Sequence, residues 1–116
     1  MTARNTLPQR RYAETFEMQH GKQNTVFSVT IGYYNAPWFD AHGARGIEAR
    51  VGEVFIHGSK SGSDFEAVAR DGAILLSLAL QHGVALETIK HAITREQDGS
   101  PSTIVGAVVD RLMEAK

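Results

Sequence analysis

The chain has 116 residues, which is the length of one domain and long enough to bury a hydrophobic core. Its 12 basic and 13 acidic residues give a net charge of -1, so charge gives no reason to expect nucleic acid or an anionic membrane as a partner. The sequence holds no cysteine, which excludes disulfides, thiolate metal ligands and thiol nucleophiles from these residues.

Residues 1–10 are polar, carry Pro8 near their end, and predict a flexible N-terminal arm. They contain no apolar signal segment, and we therefore expect a cytoplasmic protein. Residues 11–116 are predicted to form a single domain.

Three strands are predicted after the arm. The first covers residues 11–18, and a turn over 19–24 leads into the second at 25–34. Apolar and polar residues alternate along the second strand, as one buried face requires. The third strand is predicted at 47–57, where apolar residues lie on both faces.

A long helix follows the strands. Ser63 and Glu66 have the spacing of a capping box, which predicts the helix start, and Gly83 marks its end. Residues 73–80 are apolar on every side except at Ser77. We therefore expect this central helix to be covered on more than one face, by the later helices or by a dimer partner.

Two further helices complete the predicted fold. One covers residues 86–93, and the other starts at Ser100–Pro101, a cap residue followed by proline at the first helical position. Strands followed by helices predict an α+β domain. We expect a three-stranded antiparallel sheet (a meander) followed by three helices packed on one face.

The loop between the third strand and the central helix is the leading candidate site. Backbone N–H groups at a helix start attract an anion, Lys60 adds positive charge, and the serines add hydroxyl donors. A phosphate or nucleotide could bind there. The candidate residues are Gly58, Ser59, Lys60, Ser61, Gly62 and Ser63. The alternative, which we favour over anion binding, is a plain turn with Ser63 as an ordinary cap, because such caps are common and both phosphate-binding glycine motifs are absent.

The loop at residues 35–46 is a second candidate site. Its aromatic side chains could form a lip that binds a partner protein, because aromatic residues are favoured at interfaces. The partner-binding candidates are Trp38, Phe39 and Arg45. The alternative, which we favour slightly, is that the aromatic residues fold back over the core or a sheet edge.

We assign no catalytic residue, no metal ligand and no cofactor. The histidines lack the spacing of a metal-binding motif and are interpreted as surface or capping residues; they are His20, His42, His57, His82 and His91. Glu53 and His57 share a strand face but lie too far apart along it to hold one metal. The GxSxG motif of hydrolases is absent.

The sequence resembles the TSCPD domain, which occurs at the C-terminal end of adenosylcobalamin-dependent (class II) ribonucleotide reductases and as small stand-alone proteins. The resemblance covers about residues 11–112 and is most specific from Glu53 onward. It rests on EVFI at 53–56, the GSKSGS loop, SLALQHG at 77–83 and DGSPSTIVGAVVDRL at 98–112. The family pattern has Cys-Pro where this chain has Ser100–Pro101, which weakens any metal or redox role taken from the family.

Three hypotheses for function follow. Ribonucleotide reduction needs a thiyl radical and a reducing dithiol, which residues without cysteine cannot supply. The resemblance therefore implies a non-catalytic accessory module that binds a nucleotide, a phosphate, or a protein such as a reductase. The second hypothesis is a small enzyme acting on a phosphorylated substrate, with Lys60 and either Glu53 or His57 near the phosphate. The third is a structural domain that forms a homodimer. Neither nucleic acid nor membrane is expected as a partner.

Overall fold

The computed structural model describes residues 3–35, 38–39, 45–47, 50–58 and 63–114, of which 38–39 and 45–47 are described by their backbone only. In chain order its elements are β1 (Ala13–His20), β2 (Thr25–Tyr33), β3 (Trp38–Phe39), β4 (Arg45–Ile47), β5 (Val51–Gly58), α1 (Asp64–Gln81), α2 (Leu86–Ala92) and α3 (Ile104–Glu114). Three long antiparallel strands pair in the order β1-β2-β5, and three helices follow them. The α+β prediction is confirmed.

A tight turn joins β1 to β2, as predicted. The N–H of Asn24 donates to the carbonyl oxygen of Gly21 at 3.0 Å. Gly21 and Asn24 have φ angles of 89° and 51°, in the left-handed region that glycine and asparagine adopt most readily. This turn sets the register in which Phe16 lies opposite Val29.

The core lies between one face of the sheet and the helices. The buried side chains of the sheet are Phe27, Val29, Ile31, Tyr33, Val54 and Ile56. The buried apolar side chains of the helices are Ala69, Ala73, Leu76 and Leu80 of α1, and Ile104, Val108, Val109 and Leu112 of α3. Burying each Val, Leu or Ile contributes about 1.5–3 kcal/mol, so this layer is the main stabilising feature of the fold.

The outer edge of β5 is closed by polar side chains of α1. The hydroxyl oxygen of Ser77 accepts from the N–H of Val54 at 2.8 Å and lies 3.1 Å from the Val54 carbonyl oxygen. The side-chain amide of Gln81 donates to the Gly52 carbonyl at 2.9 Å. Ser77, the single polar residue in the apolar half of the helix, therefore satisfies backbone groups that an edge strand would otherwise leave open.

Part of the segment predicted as a flexible arm contacts this end of the domain. The N–H of Asn5 donates to the Gln81 carbonyl at 2.8 Å, and Arg4 Nε donates to Gln81 Oε1 at 2.6 Å. Leu7 lies against Gly52, where an added Cβ would come within 2.8 Å of Leu7 Cδ2. These contacts join residues 4–7 to the end of α1 and the start of β5.

The later helices do not cover the second side of α1, so that part of the prediction is wrong for a single chain. Helix α3 meets α1 at Gly72, where an added Cβ would lie 2.7 Å from Val105 Cγ2. Further along, α3 lies over β1, with the Arg111 guanidinium 4.6 Å from the centre of the Phe16 ring. Because α3 packs on the same face of the sheet as α1 but over β1, it lies beside α1 and not on top of it.

The start of α3 also differs from the prediction. Helix α3 begins at Ile104, and Thr103 Oγ1 accepts from the N–H of Gly106 at 3.1 Å. Ser100, the predicted cap, donates instead to Asp98 Oδ1 through its N–H (2.9 Å) and its hydroxyl (2.6 Å). The serine therefore shapes the preceding turn.

A small sheet occupies the region around the predicted aromatic loop. Strands β3 and β4 pair antiparallel, with Trp38 opposite Ile47 and Phe39 opposite Arg45. The third long strand therefore starts at Val51, whereas its predicted start was residue 47. Strands of two and three residues are too short to give an alternating pattern.

Candidate functional site

The candidate anion site lies where β5 ends and α1 begins. Gly58 is the last residue of β5 and Ser63 immediately precedes α1. Ser59, Lys60, Ser61 and Gly62 lie outside the described residues, so their role stays a prediction. The two described ends of the loop are in the strand-loop-helix order that the sequence predicted.

Ser63 caps α1 as predicted. Its backbone is extended, with φ -80° and ψ 154°, and its hydroxyl accepts from the N–H of Glu66 at 3.1 Å. Within the part of the chain that the structure describes, the N–H groups of Asp64 and Phe65 have no acceptor. These two donors and the positive end of the helix dipole are the groups that could bind an anion.

A buried carboxylate lies against the last residue of β5. Glu66 packs under Gly58, where an added Cβ would lie 2.9 Å from Glu66 Cγ. Its Oε2 accepts no hydrogen bond among the described residues and lies 3.5 Å from Arg70 Nε. Asp64 adds a second carboxylate in the first turn. An anion at this helix start therefore needs further positive charge, which Lys60 is placed in sequence to provide.

A mainly apolar groove lies along the second and third turns of α1. It has a volume of about 190 Å³, lies between β5 and α1, and is lined by Val54, Phe55, Ile56, His57, Arg70, Ala73 and Ile74. Arg70 lies both in this groove and next to Glu66. Arg70 was not among the predicted site residues, although its position four residues after Glu66 on a helix is a recognisable ion-pair spacing.

Glu53, a candidate for the phosphate-enzyme hypothesis, is held in an ion pair. Arg11 donates through Nε to Glu53 Oε2 and through Nη2 to Oε1 at 3.1 Å. Its Nη1 also donates to the Pro8 carbonyl at 2.7 Å. The hydrogen bonds to Glu53 raise the pKa of Arg11 above its ordinary value. Glu53 lies across Gly32 of the neighbouring strand, so this pair fastens the chain start to the sheet.

The partner-binding candidates are in the small sheet. Trp38 and Phe39 belong to β3 and Arg45 belongs to β4, and the backbone pairing places Phe39 opposite Arg45. Their role in binding stays a prediction. Among the described residues, no three His, Asp or Glu side chains gather where they could hold a metal ion. No described helix combines the length and apolar character needed to cross a membrane.

Comparison with known proteins decides the family. A sequence model of the TSCPD domain matches residues 1–116. The chain belongs to the TSCPD domain family. This TSCPD domain is 45% identical over 47 residues to the vitamin B12-dependent ribonucleotide reductase of Agrobacterium fabrum (strain C58 / ATCC 33970). Those residues make up 40% of this chain and 4% of that reductase. No solved structure matches this TSCPD domain.

At the position of the family cysteine, this TSCPD domain has a serine that is hydrogen-bonded to a nearby carboxylate. Ser100 stands there, and both of its hydrogen bonds to Asp98 hold the pKa of that carboxyl below its usual range. A serine hydroxyl so placed neither ligates a soft metal nor exchanges with a disulfide. This chain therefore has no thiol at the position where the resemblance places the family's cysteine.

Proposed function

We propose that this TSCPD domain is a non-catalytic accessory module that binds a nucleotide through residues 58–63 and acts beside a reductase or another nucleotide enzyme. The observation that carries the proposal is a family match over the whole chain combined with the absence of cysteine. Its kinship is to enzymes that reduce nucleotides, while its own residues lack the thiols that such chemistry needs. Nucleotide binding is the part of that function that needs no thiol.

The geometry favours a ligand with an anionic part and an apolar part over a bare anion. The N–H groups of Asp64 and Phe65 face the loop, but the carboxylates of Asp64 and Glu66 oppose an isolated phosphate. The groove beside Arg70 offers an apolar surface to a sugar or base. A nucleotide bound with its phosphate at the loop and its nucleoside along the groove would use both.

Thermal denaturation with a panel of nucleotides tests this proposal. A ligand at about one hundred times its dissociation constant stabilises the folded state by about 2.7 kcal/mol. We expect nucleotides to raise Tm and inorganic phosphate to have a much smaller effect. Lys60→Ala should abolish the nucleotide effect, whereas Lys90→Ala, which removes the same charge from α2, should preserve it.

Two results would contradict the proposal. One is an unchanged Tm across the whole panel of nucleoside mono-, di- and triphosphates. The other is a nucleotide effect of equal size in Lys60→Ala and in the unmodified chain, which would place the ligand elsewhere. Turnover of a phosphorylated compound that disappears in Lys60→Ala would support the enzyme hypothesis in its place.

A further inference from the structure

The outer edge of β5 is only partly covered by side chains of α1. Ser77 Oγ lies within hydrogen-bonding distance of both backbone groups of Val54, so those groups point away from β2. Residues along a strand direct their N–H and carbonyl groups to alternate edges, and β5 pairs with β2 without a bulge from Val54 to Gly58. The N–H and the carbonyl of Ile56 therefore point to the same outer edge.

These two groups of Ile56 have no hydrogen-bond partner among the residues that the structure describes. Ile56 is buried, and buried backbone groups in folded proteins nearly always bond protein, water or ligand. Ile56 also lines the groove between β5 and α1, together with Val54, Ala73 and Ile74. The mainly apolar groove therefore has one donor and one acceptor, close together, on its β5 side.

We infer that the N–H and the carbonyl of Ile56 recognise the base of a bound nucleotide, an inference that rests on the proposed function. Every nucleobase has an N–H or amino donor next to an acceptor on an edge of its ring. Such an edge accepts from the Ile56 N–H and donates to the Ile56 carbonyl, as a residue of a paired strand would. We call these two groups the Ile56 edge.

The groove has the size and character that a base requires. Its volume is about 190 Å³, whereas an apolar cavity of about 150 Å³ already binds benzene. Arg70 lines the groove, and a guanidinium group attracts the face of an aromatic ring. A base is uncharged, so the carboxylates of Asp64 and Glu66, which oppose a phosphate, do not oppose the ring.

A peptide strand fits the Ile56 edge less well than a base does. Ser77 already bonds Val54, and Gln81 bonds the carbonyl of Gly52, so β5 has few free groups before Ile56. Strands in folded proteins usually pair over three residues or more. A ring needs only the two groups of one residue, and the Ile56 edge therefore favours a small planar ligand.

The position of the Ile56 edge also suits a nucleotide that reaches the candidate loop. Gly58, where that loop begins, is two residues further along β5, which is about 7 Å. A ribose bridges a separation of this order between a base and its phosphate. A base at Ile56 thus leaves the phosphate near residues 58–63 and the start of α1.

Titration calorimetry of the full chain with AMP, UMP and one analogue of each tests the inference. Purine riboside 5'-monophosphate lacks the amino donor of AMP, and 3-methyl-UMP lacks the N–H donor of UMP. At least one of AMP and UMP should bind. Its analogue should bind at least about tenfold more weakly, because the Ile56 carbonyl then loses its donor.

Nuclear magnetic resonance of the ¹⁵N-labelled chain tests the Ile56 edge directly. On addition of the nucleotide that binds, the N–H resonance of Ile56 should move to lower field. The N–H of Phe55 is the internal control, because Phe55 lies opposite Thr30 and its backbone groups point to β2. Its resonance should move much less.

Two neighbouring residues of α1 provide a matched pair of variants. Ile74 lines the groove and is 52% exposed, whereas Leu75 is 67% exposed and lies outside the groove lining. Ile74→Ser should weaken nucleotide binding by at least about threefold, because it removes apolar contact with the base. Leu75→Ser should leave binding unchanged. Circular dichroism establishes that both variants are folded.

Several results would overturn the inference. Equal affinity for a nucleotide and its analogue, or for ribose 5-phosphate, would overturn it and leave phosphate binding at the loop intact. An unmoved Ile56 resonance in the presence of bound nucleotide would mean that the Ile56 edge meets only water. Failure of both AMP and UMP to bind would also overturn it, whereas the proposed function fails only if the whole panel of nucleotides leaves Tm unchanged or Lys60→Ala has no effect.

Discussion

At the residue scale, Arg95 organises the loop between α2 and α3. Its Nη2 donates to Asp110 Oδ1 at 2.7 Å and its Nη1 donates to Oδ2 at 3.0 Å, which makes a two-point ion pair. The same guanidinium donates to the carbonyls of Gly99 (3.0 Å) and Lys90 (3.1 Å). One side chain thus joins the end of α2, the turn that follows it and the middle of α3. Its hydrogen bonds hold the pKa of Asp110 below the usual range.

Replacing Arg95 should make the free energy of unfolding less dependent on pH in acid. The pKa of Asp110 is lower in the folded chain than in the unfolded one, so the pair stabilises the fold above the unfolded pKa of about 3.9. This stabilisation is lost as the pH falls through the lowered pKa. We expect Arg95→Gln to lower Tm by a few degrees at pH 7 and by less in strong acid, where the unmodified chain keeps only the bonds of Arg95 to the Gly99 and Lys90 carbonyls.

Arg10→Gln is the control for this experiment, because Arg10 is an exposed arginine outside the ion pairs of the described residues. It should leave Tm nearly unchanged at both pH values. A difference between Arg95→Gln and the unmodified chain that stays constant down to about pH 2 would show that Asp110 is not the responsible group.

At the element scale, α1 connects to β5 through Ser77 as well as through apolar packing. The Ser77 hydroxyl bonds both backbone groups of Val54 and also lies 2.8 Å from the Ala73 carbonyl oxygen. Ser77→Ala should destabilise the domain by about 1–3 kcal/mol, because the Val54 groups lose their partner in a buried place. Urea unfolding measures the loss.

Ser28→Ala is the matched control for Ser77→Ala. Ser28 lies in β2 on the face of the sheet away from the helices, opposite His57. Its replacement should change the free energy of unfolding by less than about 0.5 kcal/mol. Equal losses in the two variants would mean that the bonds to Val54 are not what Ser77 contributes.

The elements whose signals are local were the ones that the sequence could predict. The alternation in β2, the turn at Gly21 and the Ser63 cap each depend on neighbours along the chain, and all three are confirmed. The start of α3 was missed because Asp98 competes for Ser100. The β5 edge contact and the groove were missed because they form between elements that are distant in sequence.

The features of the candidate site likewise divide into those that local sequence signals predict and those that depend on packing between elements. Its position between a strand and a capped helix could be predicted from local residue types, and the structure places Gly58 and Ser63 accordingly. The buried carboxylate of Glu66 was read only as part of a capping pattern. Its place beneath Gly58 depends on how α1 packs on β5, which no local signal encodes.

At the scale of the whole molecule, the beginning of the chain is joined to its middle. Arg4 and Asn5 both bond Gln81 at the end of α1, and Gln81 in turn bonds Gly52. Deleting residues 1–8 should lower the free energy of unfolding by at least about 2 kcal/mol, since two hydrogen bonds to Gln81 are lost at about 1 kcal/mol each, together with the packing of Leu7 on Gly52 and the bond from Arg11 to the Pro8 carbonyl. Urea unfolding measures this change.

A shorter deletion provides the control for the chain start. Removing residues 1–3 leaves the bonds of Arg4 and Asn5 in place and should preserve stability. If both deletions had the same small effect, the contacts of the chain start with Gln81 would contribute nothing measurable to the fold.

The hydrogen bonds at the outer edge of β5 limit how the sheets of two copies of this domain could pair. Ser77 bonds the backbone groups of Val54, and Gln81 bonds the carbonyl of Gly52. Ile56, two residues further along β5, is only 1% exposed. Of the two edges of the described three-stranded sheet, β1 is therefore the one left for pairing with another strand. Two copies joined strand to strand at β1 would each present a sealed border outward, so growth would halt at a pair.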